Sequence, residues 1–399
     1  MTHILYISYD GMLEPLGQSQ VLAYLKRLAN GRRIHLISFE KADDWANVAE
    51  RVRLARDIAS AGIAWHPLRY HKTPSVLATA FDIMQGIIVG VWLCVRYKIK
   101  IIHARSYIPS VIALTLKKLF NVKYIFDMRG FWADERIDGG LWPKGGRIYR
   151  VAKWFEKRFL LSADSVVSLT NAAVDEMKKF DYLQGRLPNF EVITTCTDLN
   201  LFDFKKTNIN NSSKESFVLG YVGSVGVWYL FDETLNCFKL ILEKVPSAQL
   251  HIINRGGHQY IRERLIDKRI NPNKVMIETS DHAGVAKAMQ SMDVGIFFIK
   301  PVYSKMSSAP TKLGEFLGCG IPCLSNTKVG DMAVILNDEK VGVALDSFDE
   351  TSMKLGIEEL MTLLNDPEIR ERCRSTALKY FSLDIGVRSY NHIYNRLIS

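Results

Sequence analysis

Several common kinds of chemistry have no foothold in this chain. Its six cysteines are scattered, and none forms a C-x-x-C pair. That removes a thioredoxin-like site, a zinc ribbon and a disulfide framework, and it suits free thiols in a reducing cytoplasm. No G-x-S-x-G, P-loop or G-x-G-x-x-G stretch occurs, so serine hydrolases, P-loop NTPases and the dinucleotide fingerprint are not supported. There is no D-x-D and no clustered His/Asp/Glu set, so no metal and no other cofactor is expected. Long basic runs, zinc-finger spacing and RNP-like aromatics are also missing, so nucleic acid is not the expected ligand. The formal net charge of +10 therefore points to another anionic partner, a phosphate-bearing substrate or a membrane surface. The opening MTHILYIS runs straight into a strand pattern, so no signal peptide is expected. One apolar stretch, Val76 to Val95, is long enough to cross a bilayer. Asp82 and Gln85 interrupt it between two strand patterns, which favours a buried or interfacial helix over a span.

What is present is alternation. Short β-rich runs at Ile4–Tyr9, Ile34–Ser38, Ala64–Leu68, Lys100–His103, Lys123–Asp127, Ser165–Leu169 and Glu191–Thr194 alternate with helical patterns. Such alternation predicts βαβ units and a parallel sheet covered on both faces. A polar, Asn/Ser-rich stretch at 205–216 reads as a linker. A second series follows, at Phe217–Val222, Gln249–Ile253, Lys274–Ile277, Val294–Phe298, Pro322–Leu324 and Val341–Ala344. The fold class expected is α/β, with two Rossmann-like, doubly wound domains facing a cleft. The domains predicted are 1–205, 206–382 and a terminal helix over 383–399. Ligands of such sheets bind at the C-terminal ends of strands.

The most informative segment is Ser307 to Asn326, SSAPTKLGEFLGCGIPCLSN. It reads as a polar turn holding Pro310, a short helix, Gly320 as its stop, and a short strand. A helix behind such a turn aims free backbone N–H groups and partial positive charge forward. Glu315, in the second turn, can accept hydrogen bonds from hydroxyls near that mouth. Amides for a diphosphate and a carboxylate for a ribose suit a nucleotide-diphosphate sugar.

Other strand ends are polar too. Gly11 and Gly17 bracket the loop after the first strand, and Gly17-Gln18-Ser19 opens a helix suited to an anion. His103 and Arg105 follow the fourth strand, and Arg105 is a candidate phosphate or carboxylate anchor. FDMRGFWADERIDGG follows the fifth, with Asp127, Arg129 and further charges among aromatics, material better suited to binding than to packing. Lys144 to Leu161 projects as a basic amphipathic helix. Lys144, Arg147, Arg150, Lys153, Lys157 and Arg158 lie along one side, and Ile148, Val151, Ala152, Phe155 and Phe159 on the other. Such a helix suits an anionic membrane surface.

Ser307–Asn326 resembles the donor-binding motif of the retaining GT-B enzymes of glycosyltransferase family 4. Glu315, Gly320 and Pro322 fall on that motif's second Glu, Gly and Pro, while Ser307 falls on its first Glu. Ser308, Pro310, Thr311, Lys312 and Glu315 match a variant form, S-x-P-T-K-x-x-E. Tyr221, Gly223 and Ser224 match the family's Y-x-G-[RS]. Ser224 stands where many members carry an Arg, and no Lys follows before Lys239, so Arg255, Lys300, Lys305 and Lys312 are candidates to balance the diphosphate. His282–Asp293 is similar to the nucleobase segment, and VITTCTDLNLF to the stretch before the second domain.

The resemblance implies a retaining transferase that takes a nucleotide-sugar donor, expected to be a UDP-sugar. The acceptor would be a glycan or lipid-linked, in surface polysaccharide or glycoconjugate synthesis. The enzyme would be cytoplasmic, at the inner face of the membrane if residues 144–161 dock there. Its terminal helix would cross back to the first domain. Donor residues would be Ser307, Ser308, Thr311, Lys312, Glu315, Gly223, Ser224, Arg255 and Lys300. Gly17, Gln18, Ser19 and Arg105 would form the acceptor and phosphate loop, and Asp127, Arg129 and His103 the reaction centre. Two alternatives stay open: a GT-B UDP-sugar 2-epimerase, and a non-catalytic partner that binds nucleotide sugar.

Overall fold

The computed structural model describes residues 1–204 and 217–398; the expected linker at 205–216 lies outside them. The chain divides into two compact units, Met1–Thr194 joined by the helix Leu383–Ile398, and Thr195–Ser382. The division falls ahead of the polar stretch because the residues before it already pack in the second unit. Leu199 and Phe202 enter its core, and the Thr197 amide donates to the Phe381 carbonyl at 2.8 Å.

The first unit is built on a seven-stranded sheet. Its strands are β1 Thr2–Ser8, β2 Arg32–Glu40, β3 Ile63–Arg69, β4 Ile101–Arg105, β5 Lys123–Asp127, β6 Ser165–Ser168 and β7 Phe190–Val192. They lie in the order β3-β2-β1-β4-β5-β6-β7, every pairing parallel. The second unit holds β8 Val218–Val222, β9 Gln249–Ile253, β10 Val275–Glu278, β11 Val294–Ile296, β12 Cys323–Asn326 and β13 Gly342–Leu345. Their order is β10-β9-β8-β11-β12-β13, again all parallel. Each expected strand run is found, with ends shifted by a residue or two. Helices cover both sheets, so central strands such as β1 and β5 bury nearly every side chain, as parallel sheets require.

The apolar stretch forms one helix, Ser75–Tyr97, that packs on the helix Tyr107–Phe120. Gly86 and Gly90 make the close approach. A Cβ there would meet Ile112 at 2.4 Å and Leu116 at 2.6 Å. Asp82, which breaks the apolar run, is fully buried and accepts from the Tyr9 hydroxyl at 2.8 Å and the His71 amide at 3.1 Å. It pins the helix to the first unit.

The basic helix, Arg147–Ser162, differs from its projection. Ala152, Glu156, Phe159 and Leu160 are its buried residues, whereas Ile148 and Val151, expected on the packed side, are exposed. Lys153 turns inward to Asp134 at 3.0 Å and Glu156 at 2.5 Å. The reason is local: Glu156 also takes the hydrogen bond of the buried Tyr107 hydroxyl, and this polar cluster rotates the helix away from a purely apolar seat.

The last helix packs on Ala23–Leu28 and β4. Arg27 pairs with Asp384 at 2.5 Å, Arg396 with Glu191 at 2.7 Å, and Arg32 donates to Asn391 and Asn395.

Candidate functional site

In the second unit, β8 is followed by Gly223, whose φ of +119° is a conformation L side chains rarely adopt. The Asn254 amide donates to the Gly223 carbonyl at 2.8 Å, and its oxygen accepts from the Gly257 amide at 2.6 Å. Asn254, at the end of β9, therefore ties two glycine-bearing loops together. The Tyr221 hydroxyl closes the first by donating to the Ser224 carbonyl at 2.7 Å.

The segment 307–326 folds as its punctuation predicts. A turn over Tyr303–Ser307 leads to the helix Thr311–Gly318, whose N-terminus follows Pro310 and has no side-chain cap. The amides there are positioned for an incoming anion. Ser307 is buried, and its hydroxyl donates to the Ser304 carbonyl at 2.7 Å, so it braces the turn. Ser308 and Thr311 are half-buried at the helix mouth.

Lys312 is the singular feature. Its side chain is 7% exposed, and its ammonium has no hydrogen-bond partner. It lies 4.0 Å from the centre of the Tyr229 ring, and Phe297 and Tyr221 stand beyond it at 5.4 and 5.5 Å. Burial pushes its pKa down to about 7, against the opposing pull of the Glu315 carboxylate. One turn on, Glu315 is 9% exposed and stands 3.4 Å from the His282 ring.

The other cations sit differently. Lys305 is buried over the Trp228 ring at 3.8 Å. Lys300, Arg255 and Ser224 are exposed. Gly223, Lys312 and Glu315 thus come together, and Ser308 and Thr311 flank them on the helix. Tyr229, Asn254 and Trp228 escaped sequence reading, because an aromatic or amide on a loop carries no signal of what it faces.

In the first unit, the loop after β1 is held by a residue the sequence reading passed over. Glu40 is 1% exposed and accepts from the Met12 amide at 2.9 Å and the Leu13 amide at 3.1 Å. Gly17 packs onto this loop so closely that a Cβ would lie 2.0 Å from the Gly11 carbonyl oxygen. Gln18 is half-buried beside it, and the Ser19 hydroxyl donates to the Pro15 carbonyl at 2.9 Å.

His103 and Asp127 are buried at 1% and 0% exposure. The Tyr390 hydroxyl donates to Asp127 at 2.9 Å, and the Tyr394 hydroxyl lies 2.8 Å from His103 Nδ1. His103 Nε2 stands 3.4 Å from Asp127. These two residues expected at a reaction centre hold the last helix to the sheet. Burial by itself would raise the Asp127 pKa, but Arg129, His103 and Arg105 outweigh it and hold it at about 2. Burial also lowers His103, with Asp127 opposing. Arg105 is 5% exposed and reaches Asp10 at 3.3 Å. Arg129 is half-buried with φ of +58°, a conformation uncommon outside glycine, at the C-terminal end of β5.

Two parallel doubly wound sheets of this order define the GT-B architecture. Solved structures agree. A glycosyltransferase from Rickettsia africae superposes with a TM-score of 0.74 at 14% identity, over 100% of this chain and 99% of that one. HepE of Anabaena, solved with UDP and glucose, gives 0.67 at 13% identity over 99% and 100%. A putative UDP-N-acetylglucosamine 2-epimerase from Listeria monocytogenes gives 0.57 at 10% identity over 97% and 94%. No curated protein matches by sequence. The glycosyl transferases group 1 family matches residues 203–380, and the glycosyl transferase 4-like domain matches residues 20–186. The chain belongs to the family-4 glycosyltransferases of GT-B fold.

Proposed function

We propose that the protein is a retaining glycosyltransferase that takes a sugar from a UDP-sugar and passes it to a hydroxyl of a glycan or lipid-linked acceptor, in surface polysaccharide or glycoconjugate synthesis on the cytoplasmic side. The observation that carries this reading is the grouping of Gly223, Lys312 and Glu315 at one helix mouth. Glu315 accepts from the ribose hydroxyls. The amides at the start of the helix Thr311–Gly318 meet the diphosphate, whose charge grows as the sugar departs and which must be balanced in the transition state. Lys312 is suited to that task, since a buried ammonium without a hydrogen-bond partner gains most from an arriving anion. The resemblance of this segment to the family's retaining members supports retention, and HepE, with its UDP and glucose, supports the donor class. Gly17, Gln18 and Ser19 form the acceptor-side loop, with Arg105 and Arg129 as its cations. Neither a metal nor a further cofactor is part of the proposal.

The test is a thermal-shift titration of nucleotide sugars against wild type and Glu315→Ala. A ligand at about 100 times its dissociation constant stabilises by roughly 2.7 kcal/mol, a visible rise in melting temperature. A rise with one UDP-sugar that disappears in Glu315→Ala supports the reading, and no rise with any nucleotide sugar refutes it. Product analysis without acceptor separates a transferase from a 2-epimerase, which would convert the donor by itself.

A further inference from the structure

The loop between β8 and the helix Phe231–Lys244 turns two successive rings onto two lysines. Lys305 Nζ lies 3.8 Å from the centre of the Trp228 ring, and Lys312 Nζ lies 4.0 Å from the centre of the Tyr229 ring. The backbone fixes where those rings stand. The Tyr229 amide donates to the Gly226 carbonyl, the Lys300 amide to the Trp228 carbonyl and the Leu230 amide to the Phe298 carbonyl, each at 2.9 Å. The last two bonds tie the loop to the chain just after β11.

Tyr229 matters because of what Lys312 lacks. The Lys312 ammonium is buried without a hydrogen-bond partner, and Gly223, which presses on it, has no side chain to offer one. A ring face attracts an ammonium but accepts no full hydrogen bond, so it replaces only part of the lost hydration. Glu315, on the same helix, is the charged group that acts on Lys312, and it favours the protonated form. The other groups facing the amine carry no charge. Burial pushes the Tyr221 and Tyr229 phenols up, and Phe297 does not ionise. Desolvation outweighs Glu315 and brings Lys312 to about 7, so at pH 8 the empty site holds a largely neutral amine.

We propose that Tyr229 is a positioning residue of the donor site, which keeps the Lys312 amine caged and without a counter-ion, so that binding of the diphosphate brings a proton onto that amine. The proton comes from solvent, goes to the nitrogen lone pair and leaves an ammonium facing the diphosphate. At short range in a dry site that pairing favours the charged form strongly. Affinity then scales with the fraction of the free protein whose Lys312 is protonated. The inference rests on the donor reading above and adds a control to it: the empty site sheds a charge that its ligand restores, and alkaline pH weakens donor binding.

The test is calorimetry of the full chain with UDP, whose phosphates are fully ionised above pH 7. Titration at pH 8 in two buffers of different ionisation heat counts the protons that accompany binding. Wild type should take up about one proton per UDP, and its affinity should fall roughly eightfold from pH 7.5 to pH 8.5. Tyr229→Phe keeps the ring and should keep both effects. Tyr229→Ser lets water reach the amine, so the uptake should vanish and the affinity should change by less than about twofold between the two pH values. Should Tyr229→Ser not melt cooperatively, Tyr229→Gln takes its place. Lys312→Arg, charged throughout, should also bind without uptake. UDP binding to wild type without proton uptake, or uptake that persists in Lys312→Arg or in the opened cage, overturns the inference and leaves the donor reading standing. UDP and nucleotide sugars that bind at no pH overturn the donor reading and this inference with it.

Discussion

The ammonium of Lys312 lies directly beneath Gly223: a Cβ added to that glycine would sit 2.7 Å from Nζ. The φ of +119° at Gly223 makes any side chain there strained as well as crowded. Gly223→Ala should therefore displace Lys312 and the β8 loop together. The expected outcome is a donor affinity lowered by about tenfold or more, measured by calorimetry with the UDP-sugar identified in the thermal-shift panel. An unchanged affinity would separate this loop from the diphosphate.

Lys312 also predicts a pH dependence of stability. Its pKa falls from the ordinary 10.5 to about 7 on folding, so between those values the unfolded chain binds more protons than the folded one. Stability from this group then rises with pH from about 7 toward 10.5, and the penalty is constant below that window. The size is on the order of a few kcal/mol. Lys312→Met should lose that rise and be as stable as wild type or more so at pH 7, because it removes a buried charge. Urea unfolding at pH 7 and pH 9.5 for both proteins measures it, and donor binding should be lost in the variant.

Asp127 gives a slope of the same sign at the acid end. Its pKa drops from 3.8 to about 2 on folding, so it adds stability above the upper value that is lost as pH falls through the lower. That amounts to about 2 kcal/mol. Tyr390→Phe removes the hydrogen bond to Asp127 and should cost roughly 1–3 kcal/mol. Because the bond joins residues 263 apart in sequence, limited proteolysis should show the C-terminal helix released first.

Glu40 bears on the loop after β1. Glu40→Ala leaves the Met12 and Leu13 amides without their acceptor. The expected cost is roughly 1–3 kcal/mol for each amide left buried and unpaired. Differential scanning calorimetry checks it, and Glu40→Gln, which keeps an acceptor oxygen, should recover part of the loss.

Gly17→Ala separates the two halves of the proposed reaction. Its Cβ would collide with the Gly11 carbonyl oxygen at 2.0 Å, so the loop must move. Sugar transfer should fall by at least about tenfold while the nucleotide-sugar thermal shift, read on the second unit, stays near wild type.

Much of this was legible along the chain. The strand runs could be read because apolar clusters bounded by Gly, Pro and Asn are local signals. The helix after Pro310 and its stop at Gly320 were legible for the same reason. Lys312 could be named as one of four candidate cations and as part of the S-x-P-T-K-x-x-E stretch, but nothing in the sequence said that it is more buried than Lys300 or Arg255. Both of those are exposed, whereas Lys312 is buried among three aromatic rings drawn from separate strands and loops. His103 and Asp127, read as reaction-centre residues because they end strands, are covered by tyrosines of a helix that begins at Leu383.

Local order therefore sufficed for element type, the succession of two βαβ series and the helix that starts after Pro310, since each follows from the backbone preferences of neighbouring residues. Burial required the folded chain. It decides which side of Ser75–Tyr97 and of Arg147–Ser162 meets water, which lysine is desolvated, and which carboxylate is locked away. Those outcomes depend on what packs from far along the sequence, and desolvation and charge pairing act through space rather than along the chain.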